Sequence, residues 1–155
     1  MKARDARRTA DIKELQSALE LYYNDNGEYP ITFSWSNPGV YVPTDVILYT
    51  ECHFEGLSGN AAGTDYIPHL VPNYLPALPK DPSINCNGVA HGFSYASDGK
   101  DYKLGTHVED ALDIGRKFPS MIDPSYDDGP DICAVDGPTA YHVSTWTKGA
   151  ACWWI

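Results

Sequence analysis

Lys2–Pro30 reads KARDARRTADIKELQSALELYYNDNGEYP and predicts one long helix with a defined end. Apolar side chains recur along it at steps of three, four and three and therefore share one face, namely those of Ile12, Leu15, Leu19 and Tyr22. Gly27 can adopt the left-handed conformation that closes a helix, and Pro30 prevents the helix from restarting. The C-terminal half of this helix therefore needs a hydrophobic partner elsewhere in the chain.

The apolar face does not continue into the first half of the helix. Going back from Ile12 by four and then three residues gives Arg8 and Asp5. One interpretation is a frayed helical terminus, and the other is a stalk whose upstream part lies elsewhere. We therefore expect Leu19 to be buried, and Arg4 and Arg8 to be exposed on a projecting helix.

The clearest strand signal is a hairpin later in the chain. Residues 89–96 and 100–108 flank Ser97-Asp98-Gly99, which is typical of a tight turn. Alternation along the two strands puts four large side chains on one face, namely those of Phe93, Tyr95, Tyr102 and Leu104. This face can cover the apolar stripe of the helix. The pattern predicts an α+β fold, with a long N-terminal helix on a small antiparallel sheet of about three to five strands.

A length of 155 residues fits a single domain with room for a core. We assign residues 1–27 to the projecting helix and residues 28–82 to a region that connects the helix to the sheet. Residues 83–155 are assigned to the antiparallel sheet and to loop-rich C-terminal structure. Within them we expect a short helical turn over residues 109–117 and a last strand over residues 141–147.

Charge is distributed unevenly along the chain, whose formal net charge is −10. Residues 1–13 carry five basic and two acidic side chains, whereas the remainder is strongly acidic. An acidic body repels nucleic acid and anionic membranes, so no nucleic-acid partner is expected. The basic start would suit the flank of a membrane helix or an acidic neighbour, and a solvated helix end explains it equally well.

The four cysteines, Cys52, Cys86, Cys133 and Cys152, are widely spaced and form no CxxC pair. This spacing argues against zinc ribbons and thioredoxin-like redox sites. Two disulfides in an exported protein are favoured over free buried thiols. Four cysteines allow three pairings, and we prefer Cys52–Cys86 with Cys133–Cys152 because each pair brackets a loop-rich stretch.

Sequence motifs that carry enzymatic chemistry do not occur in the chain. It has no GxSxG, no HExxH and no glycine-rich phosphate loop, and its five histidines are scattered. We therefore predict that the protein is not an enzyme and has no catalytic residues.

Three stretches, taken in order, resemble the type IV pilins and the type II secretion pseudopilins. Lys2–Pro30 resembles the region just after the membrane segment of that family. Tyr74–Pro82 (YLPALPKDP) resembles the segment that leads into the sheet, and Phe93–Leu104 (FSYASDGKDYKL) resembles the first hairpin. Together they cover about a third of the chain.

The resemblance implies a structural function as a subunit of a helical filament, either a type IV pilus or a type II secretion pseudopilus. Such a subunit lies in an extracellular filament or in the periplasm. Its expected partners are copies of itself or related pilins, together with the inner-membrane assembly machinery. Family members carry a short leader and a hydrophobic segment of roughly 20 residues before this point, so we interpret the chain as a fragment whose natural form is membrane-anchored before assembly.

Two other classes of function stay open. The first alternative is a minor pilin or tip adhesin, a binding module whose loops, rich in Tyr and Trp, contact a surface or ligand. The second and less favoured one is a small calcium-dependent secreted enzyme.

Acidic side chains after the hairpin suggest a metal site, with Glu109, Asp110, Asp113, Asp123, Asp127 and Asp131 as candidate ligands. Carboxylate oxygens on a loop are the ligands that Ca²⁺ needs. Major pseudopilins, which this chain resembles, hold a calcium ion in the loop after the hairpin. The corresponding loop here starts at Gly105 and lacks the family's usual Ser-x-Gly-x-Asp-Gly sequence. Ca²⁺ is thus the one candidate cofactor, and a solvated acidic loop is the alternative.

Overall fold

The computed structural model describes residues 2–32, 48–49, 66–82, 92–122 and 142–150. The elements in these residues are α1 (Lys2–Asn26), β1 (Leu48–Tyr49), β2 (Phe93–Ser97), β3 (Tyr102–His107), α2 (Ala111–Lys117) and β4 (His142–Trp146). Short 3₁₀ helices follow α2 at Pro119–Met121 and β4 at Lys148–Ala150. One long helix packs on a small antiparallel sheet, which confirms the predicted α+β fold.

The helix α1 ends where the sequence predicts its end. Gly27 adopts a φ of 75°, in the left-handed region that favours glycine. Its N–H donates to the carbonyl of Tyr23 at 2.8 Å. The side-chain amide of Asn26 donates to the carbonyl of Tyr22 at 2.8 Å. These bonds satisfy carbonyl groups that a helix end would otherwise leave without partners.

The sheet is antiparallel throughout and has the strand order β1-β2-β3-β4. Its main part is β2, β3 and β4, and β1 adds two residues at one edge. The turn between β2 and β3 is built by Asp98, whose Oδ1 accepts from the N–H groups of Lys100 at 3.0 Å and Asp101 at 2.7 Å. Gly99 has a φ of 91° there, so the hairpin prediction and its turn glycine are confirmed.

The hydrophobic core lies between α1 and one face of β2 and β3. The helix contributes Ile12, Leu15 and Leu19, which are fully buried. The sheet contributes the predicted set of Phe93, Tyr95, Tyr102 and Leu104, all of which are buried in the same cluster. Tyr66 and Leu70 from the connecting region also belong to it. The predicted packing of the apolar helix stripe on the aromatic sheet face is therefore confirmed.

The first half of α1 differs from the prediction. Arg8 is fully buried, so the prediction that it is exposed is wrong, and Asp5 and Thr9 on the same side of the helix are buried with it. Arg4 is exposed as predicted, with 46% of its side-chain surface accessible. Towards the N-terminus from Ile12 the inward face of the helix is polar. Arg8 is buried there because Asp5 of the same helix and Asp81 and Glu109 from other segments neutralise it.

The chain after α1 returns along the hairpin. The N–H of Tyr29 donates to the carbonyl of Gly99 at 2.7 Å, and the N–H of Thr32 donates to the carbonyl of Ser97 at 2.9 Å. The hydroxyl of the buried Tyr95 donates to the carbonyl of Pro30 at 2.9 Å. These bonds fix the C-terminal end of the helix to the turn between β2 and β3.

Two shorter predicted elements, one helical and one extended, lie in the described residues. The helical turn expected over residues 109–117 is present as α2, and the strand expected over 141–147 is present as β4. No helix in the described segments combines the length and apolar character needed to cross a bilayer.

Replacing a buried leucine of α1 should destabilise the protein much more than replacing an exposed one. Leu19→Ala should lower the free energy of unfolding by ~2–5 kcal/mol, because it removes a fully buried side chain and leaves a cavity. Leu21→Ala is the matched control, since Leu21 is 57% exposed, and should change the value by under ~0.5 kcal/mol. Urea unfolding of both variants measures the difference, and equal losses would contradict the packing described here.

Candidate functional site

A buried arginine organises the polar part of the interior. Arg8 lies on the inward face of α1 and is among the largest fully buried side chains in the described segments. Its Nε donates to Oδ2 of Asp81 at 2.8 Å, and its Nη2 donates to Oδ1 of the same carboxylate at 2.9 Å. Its Nη1 donates to Asp5 at 2.6 Å and to Glu109 at 3.1 Å. One guanidinium therefore joins carboxylates from three separate parts of the chain.

Asp5 connects the helix to the backbone that follows β3. Its carboxylate accepts from the N–H of Glu109, at 2.9 Å to Oδ1 and 3.1 Å to Oδ2. It also accepts from the N–H of Asp110 at 2.9 Å. Buried backbone N–H groups need acceptors, and Asp5 supplies them directly before α2. The first turns of α1 are thereby bonded to the start of α2.

Arg4 completes the group at its exposed edge. Its Nε and Nη2 each donate to one carboxylate oxygen of Glu109 at 2.6 Å, in the parallel geometry that makes Arg–carboxylate pairs strong. The hydrogen bonds from Arg4, opposed by burial and reinforced by Arg8, lower the pKa of Glu109 to about 2. Glu109 is therefore a carboxylate at neutral pH. We call the five residues Arg4, Asp5, Arg8, Asp81 and Glu109 the Arg8 network.

The electrostatics of the Arg8 network are close to balance, with two guanidinium groups and three carboxylates. Burial by itself would lower the pKa of Arg8, but the hydrogen bonds and charges of Asp81, together with Asp5 and Glu109, raise it above its ordinary value. Removing Arg8 would leave the buried carboxylates of Asp5 and Asp81 without this guanidinium, and breaking a buried ion pair in this way is strongly destabilising. The network can therefore hold the start of α1 against the segments around Asp81 and Glu109.

Sequence reasoning missed this network, although one part of its signal was present. Arg8 and Asp5 lie four and seven residues before Ile12, on the inward face of the helix. Opposite charges three residues apart, on a face that is buried further along the helix, are as consistent with a buried ion pair as with exposure to solvent. The partners Asp81 and Glu109 have no such signal, because they lie 73 and 101 residues further along the chain.

The candidate calcium ligands in the described residues are already engaged in other contacts. Glu109 belongs to the Arg8 network, and Asp110 is the N-cap of α2, where its side chain accepts from the N–H of Asp113 at 3.1 Å. Asp113 pairs with Lys117 at 2.6 Å and more loosely with Lys2 at 3.9 Å. The hydrogen bond from Lys117 lowers the pKa of Asp113.

The remaining candidate ligands, Asp123, Asp127 and Asp131, lie outside the described residues, and so do all four cysteines. Among the residues that the structure describes, no group of three or more His, Cys, Asp or Glu side chains is arranged to hold a metal ion. The calcium site and the two disulfides therefore stay predictions.

No protein-family model, no curated protein and no solved structure matches this chain. The assignment to a family consequently depends on the three resembling stretches and is a proposal.

Removing Arg8 should destabilise the protein strongly. Arg8→Ala should lower the free energy of unfolding by ~3–5 kcal/mol, because three carboxylates lose their shared buried counter-charge. Arg7→Ala is the matched control on the exposed side of the helix and should cost under ~0.5 kcal/mol. Urea unfolding at neutral pH compares the two variants. Equal and small losses would show that the network does not hold the helix.

Acid should weaken the contribution that Glu109 makes to the stability of the folded protein. Its pKa in the folded protein, about 2, is below its ordinary value of 4.5. The stability that it contributes is therefore present above pH 4.5 and is lost as the pH falls from 4.5 towards 2. The stability difference between wild type and Glu109→Gln should shrink across this range.

The Arg4→Ala variant provides the control for this pH dependence. Arg4 makes the largest contribution to the lowered pKa of Glu109. In Arg4→Ala, the stability that ionised Glu109 contributes should therefore be lost at a pH closer to 4.5. Thermal melting at a series of pH values measures both effects. A stability difference between wild type and Glu109→Gln that stays constant between pH 4.5 and 2 would contradict the lowered pKa of Glu109.

Calcium should raise the melting temperature if the acidic stretch binds it. A ligand that binds only the folded form adds ~2.7 kcal/mol at a hundredfold excess over its dissociation constant. Melting curves with EDTA, with calcium and with magnesium test this, and Asp127→Asn should reduce the calcium shift. Superimposable melting curves under the three conditions would show that the acidic residues after the hairpin bind neither ion.

Proposed function

We propose that this protein is a structural subunit of a helical filament of the cell envelope, either a type IV pilus or a type II secretion pseudopilus. The observation that carries the proposal is the order of its elements: a long N-terminal helix, a connecting region and an antiparallel hairpin whose aromatic face covers the helix. This is the arrangement that the resemblance of residues 2–30, 74–82 and 93–104 implies.

The Arg8 network supports a structural function in a second way. A filament subunit has to transmit force between its helix and its globular part without a change of register. Apolar packing holds the second half of α1, while charge-assisted hydrogen bonds hold the first half. The helix is thus attached to the sheet domain along most of its length. On this proposal the protein works through its shape and its contacts, with no chemical step.

Partners and location follow from the same proposal. Copies of this chain or related subunits would surround each subunit in the filament. A hydrophobic segment preceding Lys2 would anchor the subunit in the inner membrane before assembly and would present it to the assembly machinery. The assembled filament would lie outside the cell or in the periplasm.

The test combines the gene with the filament. The coding sequence upstream of Lys2 should encode a leader ending in Gly, followed by Phe and an apolar run with Glu at its fifth position. Immunogold labelling with antibodies against this chain should decorate filaments along their length. Labelling confined to filament tips would favour the minor pilin or adhesin instead. An upstream sequence without an apolar run would contradict the filament proposal altogether.

A further inference from the structure

The last residue of α1 and the glycine after it form an exposed Asn-Gly pair. Asn26 ends the helix, and Gly27 follows it with a φ of 75°. Glycine hinders attack on the preceding asparagine side chain less than any other residue, because it has no Cβ. In an unfolded chain, Asn-Gly is therefore the pair most prone to spontaneous deamidation through a cyclic imide. The chain has one other such pair, Asn87-Gly88, which lies outside the described residues.

The reaction joins the backbone nitrogen of the glycine to the side chain of the asparagine. The nitrogen of Gly27 gives up its proton to water and bonds to Cγ of Asn26, and the bond between Cγ and Nδ2 breaks as ammonia leaves. Water then opens the imide at one of its two carbonyl carbons. Cleavage of the new bond gives aspartate. Cleavage of the original peptide bond gives isoaspartate, in which the main chain runs through the side chain, and water is the only other reactant.

The folded structure opposes ring closure at the attacking nitrogen. The N–H of Gly27 donates to the carbonyl of Tyr23 at 2.8 Å, so this nitrogen can lose its proton only after that hydrogen bond breaks. Asn26 also belongs to the last turn of α1. The imide ring requires a ψ at the asparagine far from the helical value of about −40°, so Asn26 has to leave its helical conformation before it reacts.

Hydrogen bonds also hold the amide group that would have to react. Nδ2 of Asn26 donates to the carbonyl of Tyr22 at 2.8 Å and to the hydroxyl of Tyr74 at 3.1 Å. The same hydroxyl donates to Oδ2 of Asp25 at 3.1 Å, and the ring of Tyr74 lies 5.3 Å from that of Tyr22. The side chain is therefore fixed both to its own helix and to the connecting region. Deamidation requires this end of α1 to open first.

A carboxylate at position 26 cannot rebuild the helix end. It has no N–H to donate to the carbonyl of Tyr22, and negative charge is unfavourable at the C-terminus of a helix. Asp25 already places one carboxylate beside it, and the sequence has no Lys or Arg between residues 13 and 80. In isoaspartate an additional main-chain methylene group also displaces Gly27. The products therefore favour the open form of the helix end over the closed one.

We propose that Asn26 is a deamidation site that becomes reactive when the end of α1 opens and that keeps this end open once it has reacted. Directly after Gly27, the N–H groups of Tyr29 and Thr32 donate to carbonyl groups of the hairpin formed by β2 and β3. Conversion of Asn26 loosens this attachment, because the path of the chain through Gly27 changes. Local opening is reversible, whereas the loss of ammonia is not, so the converted fraction records how often the helix end has opened. The proposal does not depend on the filament function.

Deamidation rates in the folded and unfolded protein test the protection. Peptide mapping by mass spectrometry follows Asn26 in buffer and in guanidinium chloride at the same pH and temperature. In guanidinium chloride, Asn26 and Asn87 should react at similar rates, since both precede glycine. In the folded protein Asn26 should react more slowly by about tenfold or more, because the reaction waits for local opening. Equal rates for Asn26 in the two states would overturn the proposal.

Tyr74→Phe tests whether the hydrogen bonds of the amide supply this protection. It keeps the ring beside Tyr22 and removes the hydroxyl that accepts from Asn26. Deamidation in the folded protein should become about two- to tenfold faster, the change expected for one hydrogen bond. Tyr23→Phe is the matched control, since the amide of Asn26 donates to Tyr22 and Tyr74 instead, and it should react like the wild type. Equal rates in the two variants would overturn the proposal.

Asn26→Asp reproduces one of the two products directly. Its melting temperature should fall by about 2–4 °C, because the helix end loses a hydrogen bond and gains an unfavourable charge. Hydrogen exchange read by NMR should be faster than in the wild type at the N–H groups of Tyr29 and Thr32. Asn24→Asp adds the same charge at another exposed residue of the last helical turns and is the matched control, with wild-type exchange at both groups. Exchange in Asn26→Asp that equals exchange in this control would overturn the proposal.

Discussion

The position of the helix on the sheet depends on one guanidinium group shared by three carboxylates. The hydrophobic effect is non-directional, so burial of apolar surface by itself prescribes no orientation of contact. The planar fork of Arg8 permits little shift, since its two parallel bonds to Asp81 require a fixed orientation. Asp5 and Glu109 complete the set. The network therefore attaches the first half of α1 to the segments around Asp81 and Glu109 in a fixed orientation, while Leu19 and its neighbours supply hydrophobic stabilisation.

Local patterns were sufficient to predict the main architecture. The spacing of Ile12, Leu15 and Leu19 gave the buried face of the helix, and Gly27 gave its end, because both signals act within a few residues. The hairpin followed from strand alternation around Asp98-Gly99. These features depend on backbone geometry and side-chain periodicity, which neighbouring residues determine.

Contacts between distant segments could not be predicted in the same way. Burial of Arg8 requires Asp81 and Glu109, and no pattern within ten residues of Arg8 points to either. The hydroxyl of Tyr95 is similar, since it is buried against the carbonyl of Pro30, 65 residues away. For the candidate metal site, the sequence showed which carboxylates were present. It could not show that Glu109 is bonded to α1, which lies far from it in the chain. Burial of a charge is a property of the folded surroundings.

The distance between Arg8 and its partners also affects the chain while it is being made. Arg8 is synthesised before Glu109, which follows 101 residues later. During that interval the inward face of the first half of α1 presents Asp5 and Arg8 to water. An apolar face there would be prone to aggregate with other unfinished chains. Charged residues whose partners lie so far along the chain thus keep this half of the nascent helix hydrated and give the folded helix fixed contacts.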